Sequence, residues 1–381
     1  MSEPLWIDRP AELAAGVGRW LAARDVALDT EFVFERTYRP RLGLIQIAAG
    51  DEIALVDAVR LPDLSPLAAL LEAAAVRKIV HSGSGDVPIL QRATGAVPRP
   101  LFDTQIAAAY AGFGMSLSYA ALVRELFAVE LPKHETRTDW LRRPLSPAQL
   151  RYAAEDVEQL AAAAGELERR LRELGRLDWA LEDSAALADL DAEGADPADA
   201  WRRVKGIDRL PPEARAVARE LASWREREAD RLDLARPFLL RDETLLALAR
   251  RDPATELTAE EIRKLPGFDA RRHAQHTGRW SEALAAARAR VDRDGLPEEP
   301  ERPPRAERDR RKKLEEAISA LVARRAGELG IPPELLLSRR QRDRALGAWR
   351  DAGERSLTEA IGGYRGRLLG AELDALAAAT D

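Results

Sequence analysis

The chain has 381 residues, of which 46% are hydrophobic and 33% charged, and a formal net charge of -6. This length allows two or three hydrophobic cores and predicts a multidomain globular protein. Cysteine is absent, which excludes disulfides and thiolate metal sites, so any metal must be held by carboxylates or by the four histidines. We find neither a signal peptide nor an apolar run long enough to cross a bilayer, and therefore expect a cytoplasmic protein with no membrane partner.

The first part of the chain alternates strand and helix signals. These predict a mixed α/β domain with one central sheet, in which the first three strands form a meander. After the fourth strand, helices are predicted almost without interruption to about residue 194. The predicted elements are a helix ending near Trp20, strands at 26–31, 42–48, 53–57 and 78–81, and a helix at 66–75.

Beyond residue 195 every periodic segment is helical. The stretch 189–197 is rich in Asp, Ala and Gly and reads as a linker, and a second stretch from 295 is polar and rich in proline. The last helical block is interrupted at 330–333 and at 362–363. We therefore predict a first domain at 1–195, a second at 196–294, a linker at 295–305 and a third domain at 306–381.

Charge is unevenly distributed among these parts. Residues 1–196 carry 21 Lys and Arg against 31 Asp and Glu, residues 197–290 carry 20 against 16, and residues 301–381 carry 17 against 14. An acidic part joined to two mildly basic parts suits a metal-binding catalytic domain with separate phosphate-binding helpers. Solvated arginines on ordinary helical domains would give the same distribution, so charge alone leaves both interpretations open.

Acidic residues mark the ends of predicted elements in the first domain. Asp29 and Glu31 are two residues apart on a strand, so both carboxylates point to one face. Asp86 follows a Ser/Gly turn, where a helix begins. Tyr152 and Asp156 are i,i+4 neighbours on one helix face. Each pattern alone is common among surface residues, and only their combination indicates a site.

In this order and on these elements, the five residues resemble the three motifs of the DEDDy 3′→5′ exonuclease family. The connecting text at 41–47, 101–105 and 135–146 is similar to that of the bacterial ribonuclease D family within it. Residues 201–290 resemble an HRDC domain, a helical nucleic-acid-binding module, and 308–381 resemble a degenerate second copy. The resemblance implies an α/β RNase H-like exonuclease domain, with a mixed central sheet flanked by helices, followed by two small all-α HRDC-like domains.

The resemblance also implies a function and a mechanism. It implies a metal-dependent exoribonuclease that trims 3′ extensions of structured RNA such as tRNA precursors, releases nucleoside 5′-monophosphates and needs no obligatory protein partner. Four carboxylates can hold two divalent ions, Mg²⁺ or Mn²⁺, about 3.5–4 Å apart. Asp29 would bridge the ions, with Glu31 and Asp156 on the nucleophile side and Asp86 on the leaving-group side. Tyr152 would orient the attacking water.

Two other functions stay open on the sequence. A DNA-directed 3′→5′ exonuclease would use the same acids, which do not distinguish ribose from deoxyribose. A catalytically inactive nucleic-acid-binding scaffold would keep the fold, although the presence of all five residues counts against it.

Roles beyond the five residues are less determined. Asp103 either tunes the site or caps a helix beginning at Thr104, and His81 is expected to pack near the site. Trp201 is expected to pack in a core, whereas Arg202 and Arg203 could touch phosphates or be solvated. For Trp140, one of the candidate RNA contacts, packing in the protein interior is an equal alternative to RNA binding. The candidate RNA contacts are Lys133, His134, Arg137, Trp140, Arg143, Lys205 and Arg236.

Overall fold

A computed structural model describes residues 3–131, 138–190, 196–252, 257–297, 304–352 and 356–379, without the side chains of 348–352. The chain divides into two compact units. The sheet unit comprises residues 1–31, 42–192 and 302–381, and the helical unit comprises residues 32–41 and 193–301. The predicted domain boundaries stay predictions. The compact units group the last helices with the sheet, and the predicted linker overlaps residues outside the described ranges.

A mixed sheet organises the first part of the chain. Its strands are β1 (Leu5–Ile7), β2 (Asp25–Val33), β3 (Arg41–Ala49), β4 (Glu52–Asp57), β5 (Arg77–Val80) and β6 (Leu101–Asp103). In the described residues their order is β1-β4-β3-β2-β5-β6. β3 and β4 pair antiparallel, whereas the pairs β1–β4, β2–β5 and β5–β6 are parallel. The carboxyl ends of β2 and β5 therefore meet at one edge of the sheet.

Helices cover both faces of this sheet. The helices before the linker are α1 (Pro10–Trp20), α2 (Ala68–Leu71), α3 (Asp86–Thr94), α4 (Thr104–Tyr110), α5 (Tyr119–Phe127), α6 (Pro147–Glu158), α7 (Leu160–Glu173) and α8 (Leu177–Ala186), with 3₁₀ turns at Ser65–Leu67 and Leu187–Asp189. One face, which includes Val26 and Leu28, packs against α1, α2 and α3. The other face, which includes Ala27 and Ile79, packs against α4 and α7. This in-and-out alternation along β2 is the strand period of two.

The remaining helices belong to different units. Those of the helical unit are α9 (Pro212–Arg231), α10 (Arg236–Leu239), α11 (Asp242–Ala249), α12 (Ala259–Arg263), α13 (Ala270–His273) and α14 (Thr277–Asp294), with 3₁₀ turns at Pro197–Arg203, Ile207–Arg209 and Ala274–His276. Those at the carboxyl end of the chain are α15 (Arg305–Leu329), α16 (Pro333–Leu336), α17 (Arg339–Ala352), α18 (Leu357–Ile361) and α19 (Gly363–Ala378).

The carboxyl-terminal helices share a hydrophobic core with the sheet. Leu314 of α15 and Leu373 of α19 are buried in the same cluster as Ile79 of β5. The junction also holds a buried ion pair, because Arg365 donates hydrogen bonds of 2.6 and 2.7 Å to the carboxylate of Asp183. These helices therefore form part of the sheet unit's core.

The helical unit has its own core around the buried Trp280. The loop between β2 and β3 belongs to this unit and is held by polar contacts. The Tyr38 hydroxyl donates a 2.6 Å hydrogen bond to Glu226, and Arg39 donates two, of 2.8 and 3.0 Å, to Asp230. Burial of the phenol, followed by its bond to Glu226, raises the pKa of Tyr38 to about 12.

The fold confirms the predicted sheet and differs from the prediction in three places. The short strands β1 and β6 were not predicted, and β6 interrupts the expected run of helices. The helix expected at 66–75 is a 3₁₀ turn followed by α2, which ends at Leu71. Among the described helices, none combines the length and apolar character that a membrane span requires.

Candidate active site

Three carboxylates converge on the face of the sheet that carries Ala27. Asp29 and Glu31 lie on this face because they alternate with Leu28 and Thr30 along β2. Asp156 reaches the same place from α6. One oxygen from each of Asp29, Glu31 and Asp156 lies within 4.8 Å of the other two. The sequence prediction that these acids meet in space agrees with this geometry.

Asp86 enters from the neighbouring strand. It is the first residue of α3, after the turn that follows β5, and it is buried. Its carboxylate accepts a short hydrogen bond from the Thr30 hydroxyl. Burial raises its pKa to about 6, against the lowering effect of that bond. The charge of Asp86 is also the largest of those that raise the pKa of Asp29, so the fourth predicted acid acts on the cluster.

Ionisation of these buried, closely spaced carboxyl groups is unfavourable when no cation is bound. Burial, followed by the charges of Asp156 and Asp86, raises the pKa of Glu31 to about 9. Burial also raises the pKa of Asp156 to about 7 and that of Asp29 well above its ordinary value. Such an all-oxygen set of ligands fits hard divalent cations such as Mg²⁺ or Mn²⁺.

Tyr152 lies one helical turn before Asp156. The helix begins with a capping box, in which Ser146 and Gln149 each accept a hydrogen bond from the other's backbone N–H, and with Pro147 at its first position. This fixes the start of α6 five residues before Tyr152. The Tyr152 hydroxyl lies beside the Asp156 carboxylate, and each group shifts the pKa of the other. Burial, followed by the charges of Asp156 and Glu31, raises the pKa of Tyr152 far above neutrality.

The segment before α6 packs behind Tyr152. Trp140 is buried, and its ring centroid lies 6.1 Å from that of Tyr152. Gly43 of β3 allows this approach, since a Cβ there would lie 2.5 Å from the Trp140 carbonyl oxygen. Arg143 donates to both carboxylate oxygens of the fully buried Asp57, at 2.8 and 2.7 Å, and to the carbonyls of Gly43 and Trp140. Both Trp140 and Arg143, predicted to contact RNA, therefore have internal partners.

Asp103 holds the turn that leads to Asp86. Its carboxylate accepts hydrogen bonds from the backbone N–H groups of Gln105 and Ile106, which caps α4. It also accepts bonds of 3.1 and 2.8 Å from the N–H groups of Ser82 and Gly83. Ser82 has a φ of 61°, so the turn needs such support. Asp103 thus combines the predicted cap with a supporting role in the site.

Two further side chains lie close to the acids. His81 packs as expected, with its ring nitrogens 2.9 Å from the Thr104 hydroxyl and 3.0 Å from the Leu117 carbonyl. Tyr119, whose ring is 5.7 Å from that of His81, accepts a hydrogen bond from the Gln159 N–H. Burial and the charge of Asp156 raise its pKa. Nothing in the sequence around Tyr119 distinguishes it from a packing tyrosine.

The remaining candidate RNA contacts are scattered. Lys133, His134 and Arg137 lie outside the described residues, and Lys205 is exposed. Arg236 donates a 2.5 Å hydrogen bond to Glu226 and lies 4.8 Å from the centroid of the Tyr38 ring. Its charge is therefore already compensated within the helical unit. All of these contacts stay predictions.

Comparisons with known proteins agree with the fold. Residues 4–172 match the family model described as 3′-5′ exonuclease, and residues 214–284 match the HRDC domain. Ribonuclease D of Pseudomonas paraeruginosa is 38% identical over 368 residues, covering 97% of this chain and 96% of the relative. Ribonuclease D of Escherichia coli is 37% identical over 347 residues, covering 90% of each. The crystal structure of Escherichia coli RNase D superposes with a TM-score of 0.84 at 34% identity, covering 99% of both chains.

The fold and the matched domains define a 3′→5′ exonuclease followed by an HRDC domain, as predicted. Since identity to curated relatives extends over nearly the whole chain, the protein belongs to the ribonuclease D family. It is accordingly a metal-dependent hydrolase that acts as a 3′→5′ exoribonuclease.

Proposed function

We propose that this exoribonuclease trims 3′ extensions of structured RNA, with tRNA precursors as its substrate class, and releases nucleoside 5′-monophosphates. The observation that carries the proposal is the approach of Asp29, Glu31 and Asp156 within 4.8 Å. The similar Escherichia coli enzyme is described as an exoribonuclease involved in structured RNA processing, which supports the substrate class. The cytoplasmic location and the lack of an obligatory protein partner stay predictions from the sequence.

In this proposal Asp29, Glu31, Asp86 and Asp156 hold two divalent ions, Mg²⁺ or Mn²⁺. The bound ions would supply the positive charge that activates a water near neutral pH and that neutralises the leaving 3′-oxygen. Asp29, which lies within 4.8 Å of Glu31 and Asp156 and whose pKa is also raised by the charge of Asp86, would be the shared ligand. Asp86, whose carboxylate accepts a hydrogen bond from Thr30, would serve the leaving-group side.

Tyr152 orients the attacking water rather than removing its proton. The raised pKa keeps the phenol protonated at neutral pH, so the hydroxyl acts as a hydrogen-bond donor. The neighbouring Asp156 carboxylate and the packing of Trp140 against the ring restrict where the hydroxyl can point. Asp103 and Arg143 are positioning residues, because they hold the turn before Asp86 and the segment before α6.

A time course on a tRNA with a short 3′ extension tests the proposal. We expect stepwise shortening to the mature end in Mg²⁺ or Mn²⁺, nucleoside 5′-monophosphates as product, and no shortening in EDTA. Asp29→Asn should lower the rate at least about a thousandfold, because the shared ligand is lost, while circular dichroism stays unchanged. Retained turnover by this variant would contradict the assignment of the site.

A second arm separates RNA from DNA. RNA and DNA strands of the same sequence, with identical 3′ ends, are compared under the same conditions. We expect faster hydrolysis of the RNA. Equal or faster hydrolysis of the DNA would favour the DNA-directed alternative, and binding of both without hydrolysis would favour the inactive scaffold.

A further inference from the structure

One short helix, α8, connects the carboxyl-terminal helices to the edge of the sheet. Within the described residues β6 is an edge strand, and α8 packs against it. The backbone N–H of Asp103, at the end of β6, donates a 3.0 Å hydrogen bond to the hydroxyl of Ser184. Both residues are buried, at 1% and 0% exposure. Since a buried N–H needs an acceptor, the side chain of α8 supplies at this edge what a further strand would otherwise supply.

Asp103 connects this contact to the turn that leads to Asp86. Its carboxylate accepts the hydrogen bonds from the N–H groups of Ser82 and Gly83 described above. The Gly83 carbonyl in turn accepts a 2.9 Å hydrogen bond from the N–H of Val87, the residue after Asp86. The place of Asp86 therefore depends on how Asp103 is held.

The two residues before Ser184 are bound by α19. Asp183 accepts the two hydrogen bonds from Arg365, of 2.6 and 2.7 Å. Glu182 accepts bonds of 3.1 and 2.9 Å from the backbone N–H of Tyr364. These contacts fix the carboxyl-terminal part of α8, on which Ser184 lies.

Arg365 is itself held firmly within the carboxyl-terminal helices. It is 7% exposed, and it donates 2.9 Å hydrogen bonds to the carbonyls of Leu335 and Leu336. Its ion pair with Asp183 therefore ties α8 to α16 as well as to α19. The Tyr110 hydroxyl of α4 donates a further hydrogen bond to Asp183, so this carboxylate keeps one partner when Arg365 is replaced.

We propose that Ser184 and Arg365 are positioning residues for Asp86, so that the carboxyl-terminal helices help to set the leaving-group side of the proposed metal site. Arg365 holds α8 through Asp183. Ser184 then holds the turn before Asp86 through Asp103. The inference rests on the proposed function for the role of Asp86 as a metal ligand, and it gives these helices a part in the active site that requires no contact with RNA.

Amide hydrogen exchange of the metal-free protein tests the structural step without any catalysis. Ser184→Ala leaves the buried N–H of Asp103 without its acceptor, so a peptide containing Ser82 and Gly83 should exchange about tenfold faster. Arg365→Gln should accelerate exchange of the same peptide by about threefold, because one hydrogen bond to Asp183 remains. Peptides from α1, which packs on the other face of the sheet, should exchange as in the wild type.

Binding of Mn²⁺, measured by electron paramagnetic resonance without RNA, tests the consequence for the metal site. Ser184→Ala should weaken it about tenfold, the lower end of the effect seen when the support of a metal ligand is lost. The double variant Ser184→Ala/Arg365→Gln should be little weaker than Ser184→Ala, because both residues act through one contact. Two effects that multiply would show independent action and would overturn the proposal. Arg365→Lys, which keeps a positive charge beside Asp183, should recover part of the loss in Arg365→Gln.

The matched control is Arg225→Gln, because Arg225 is a buried arginine of the same kind in the helical unit. It is 4% exposed and donates hydrogen bonds of 2.7 Å to Asp242 and 2.9 Å to the Leu240 carbonyl. This variant should lose stability yet keep wild-type exchange in the turn and wild-type Mn²⁺ binding. If Arg365→Gln behaves like this control, the proposal is overturned. Should Arg365→Gln fail to fold, unchanged exchange and Mn²⁺ binding in Ser184→Ala would overturn it equally.

Hydrolysis of a short single-stranded RNA separates this inference from the proposed function. Ser184→Ala should need about tenfold more Mn²⁺ for half-maximal rate, with an unchanged KM for RNA at saturating Mn²⁺. A raised KM with an unchanged Mn²⁺ requirement would indicate a role in RNA contact and would overturn the proposal. A wild type that binds Mn²⁺ without shortening RNA would refute the proposed function, while the exchange and binding results would still decide the inference.

Discussion

Replacing Asp156 with asparagine tests whether the acids are gathered to hold cations. Burial raises the pKa of Asp156 from 3.8 to about 7. A rise of about three units corresponds to about 4 kcal/mol of unfavourable free energy for the ionised group in the folded protein. The Asp156 side chain is only partly buried, so solvent screening reduces this figure by about half. We therefore expect Asp156→Asn to stabilise the metal-free protein by about 2 kcal/mol, or about 4–8 °C in Tm.

The effect of pH on this gain has a definite sign. In the unfolded chain Asp156 loses its proton near 3.8, whereas in the folded protein it does so near 7. The free-energy cost of ionised Asp156 in the folded protein is therefore absent below about pH 4, grows as pH rises to about 7 and is constant above that. Asparagine does not titrate, so the gain in stability of the variant should roughly double between pH 5.5 and pH 8. The wild type without metal should lose stability over the same interval.

Calorimetry with and without metal separates this explanation from ordinary repacking. Mg²⁺ at about 100 times its Kd should stabilise the wild type by about 2.7 kcal/mol and the variant much less, because a ligand is missing. Activity of the variant should fall by several orders of magnitude. Glu158→Gln is the matched control, since it removes a carboxylate from the same helix without removing a proposed ligand. A destabilised metal-free variant at pH 8, or an undiminished response to Mg²⁺, would refute the reasoning.

Substitutions at three further residues test the roles proposed for them. Tyr152→Phe should lower kcat by about a hundredfold with the Mg²⁺-induced rise in Tm intact, and loss of that rise would show that the hydroxyl supports metal binding instead. Arg143→Ala should cost about 3 kcal/mol in urea unfolding, because the buried carboxylate of Asp57 loses its two closest side-chain hydrogen bonds and keeps the half-exposed Arg60, at 3.8 Å, as its ion pair, and a cost below about 1 kcal/mol would contradict this. Asp103→Ala should cost about 2 kcal/mol of unfolding free energy by loss of the cap and should lower kcat by misplacing Asp86. Asp103→Asn should recover part of both losses. Wild-type stability and kcat in Asp103→Ala would contradict the supporting role of Asp103.

The sequence predicts those parts of the site in which residues are brought together by the regular repeat of a single strand or helix. Asp29 and Glu31 share a face because a strand repeats every two residues, and Tyr152 meets Asp156 because a helix repeats about every four. The position of Asp86 also follows from the sequence, since a Ser/Gly turn marks the end of β5. The sequence patterns do not predict the hydrogen bond from the Thr30 hydroxyl to the Asp86 carboxylate, because this bond depends on the pairing of β2 with β5.

Other features depend on partners that are far apart in the chain. The strands β1 and β6 have three residues each, too few for a period to be recognised, and they exist through pairing with β4 and β5. The sequence suggests that Arg143, beside a proline, is an exposed arginine, and its ion pair with Asp57 becomes evident only from the fold. Composition likewise does not predict that the carboxyl-terminal helices and the sheet share one core.

The energetics of the site require a framework that keeps the acids close together. Carboxylates that repel one another would move apart on a compliant framework, whereas here one oxygen from each of Asp29, Glu31 and Asp156 lies within 4.8 Å of the other two. Asp29 and Glu31 are held by a strand in the interior of the sheet, and Asp156 by a helix whose start is fixed by a capping box. The buried cores on both faces of the sheet offset the repulsion, so the site costs stability until cations bind. A stable framework therefore preserves the geometry for metal binding, and substitutions that relax the repulsion should stabilise the fold while removing its activity.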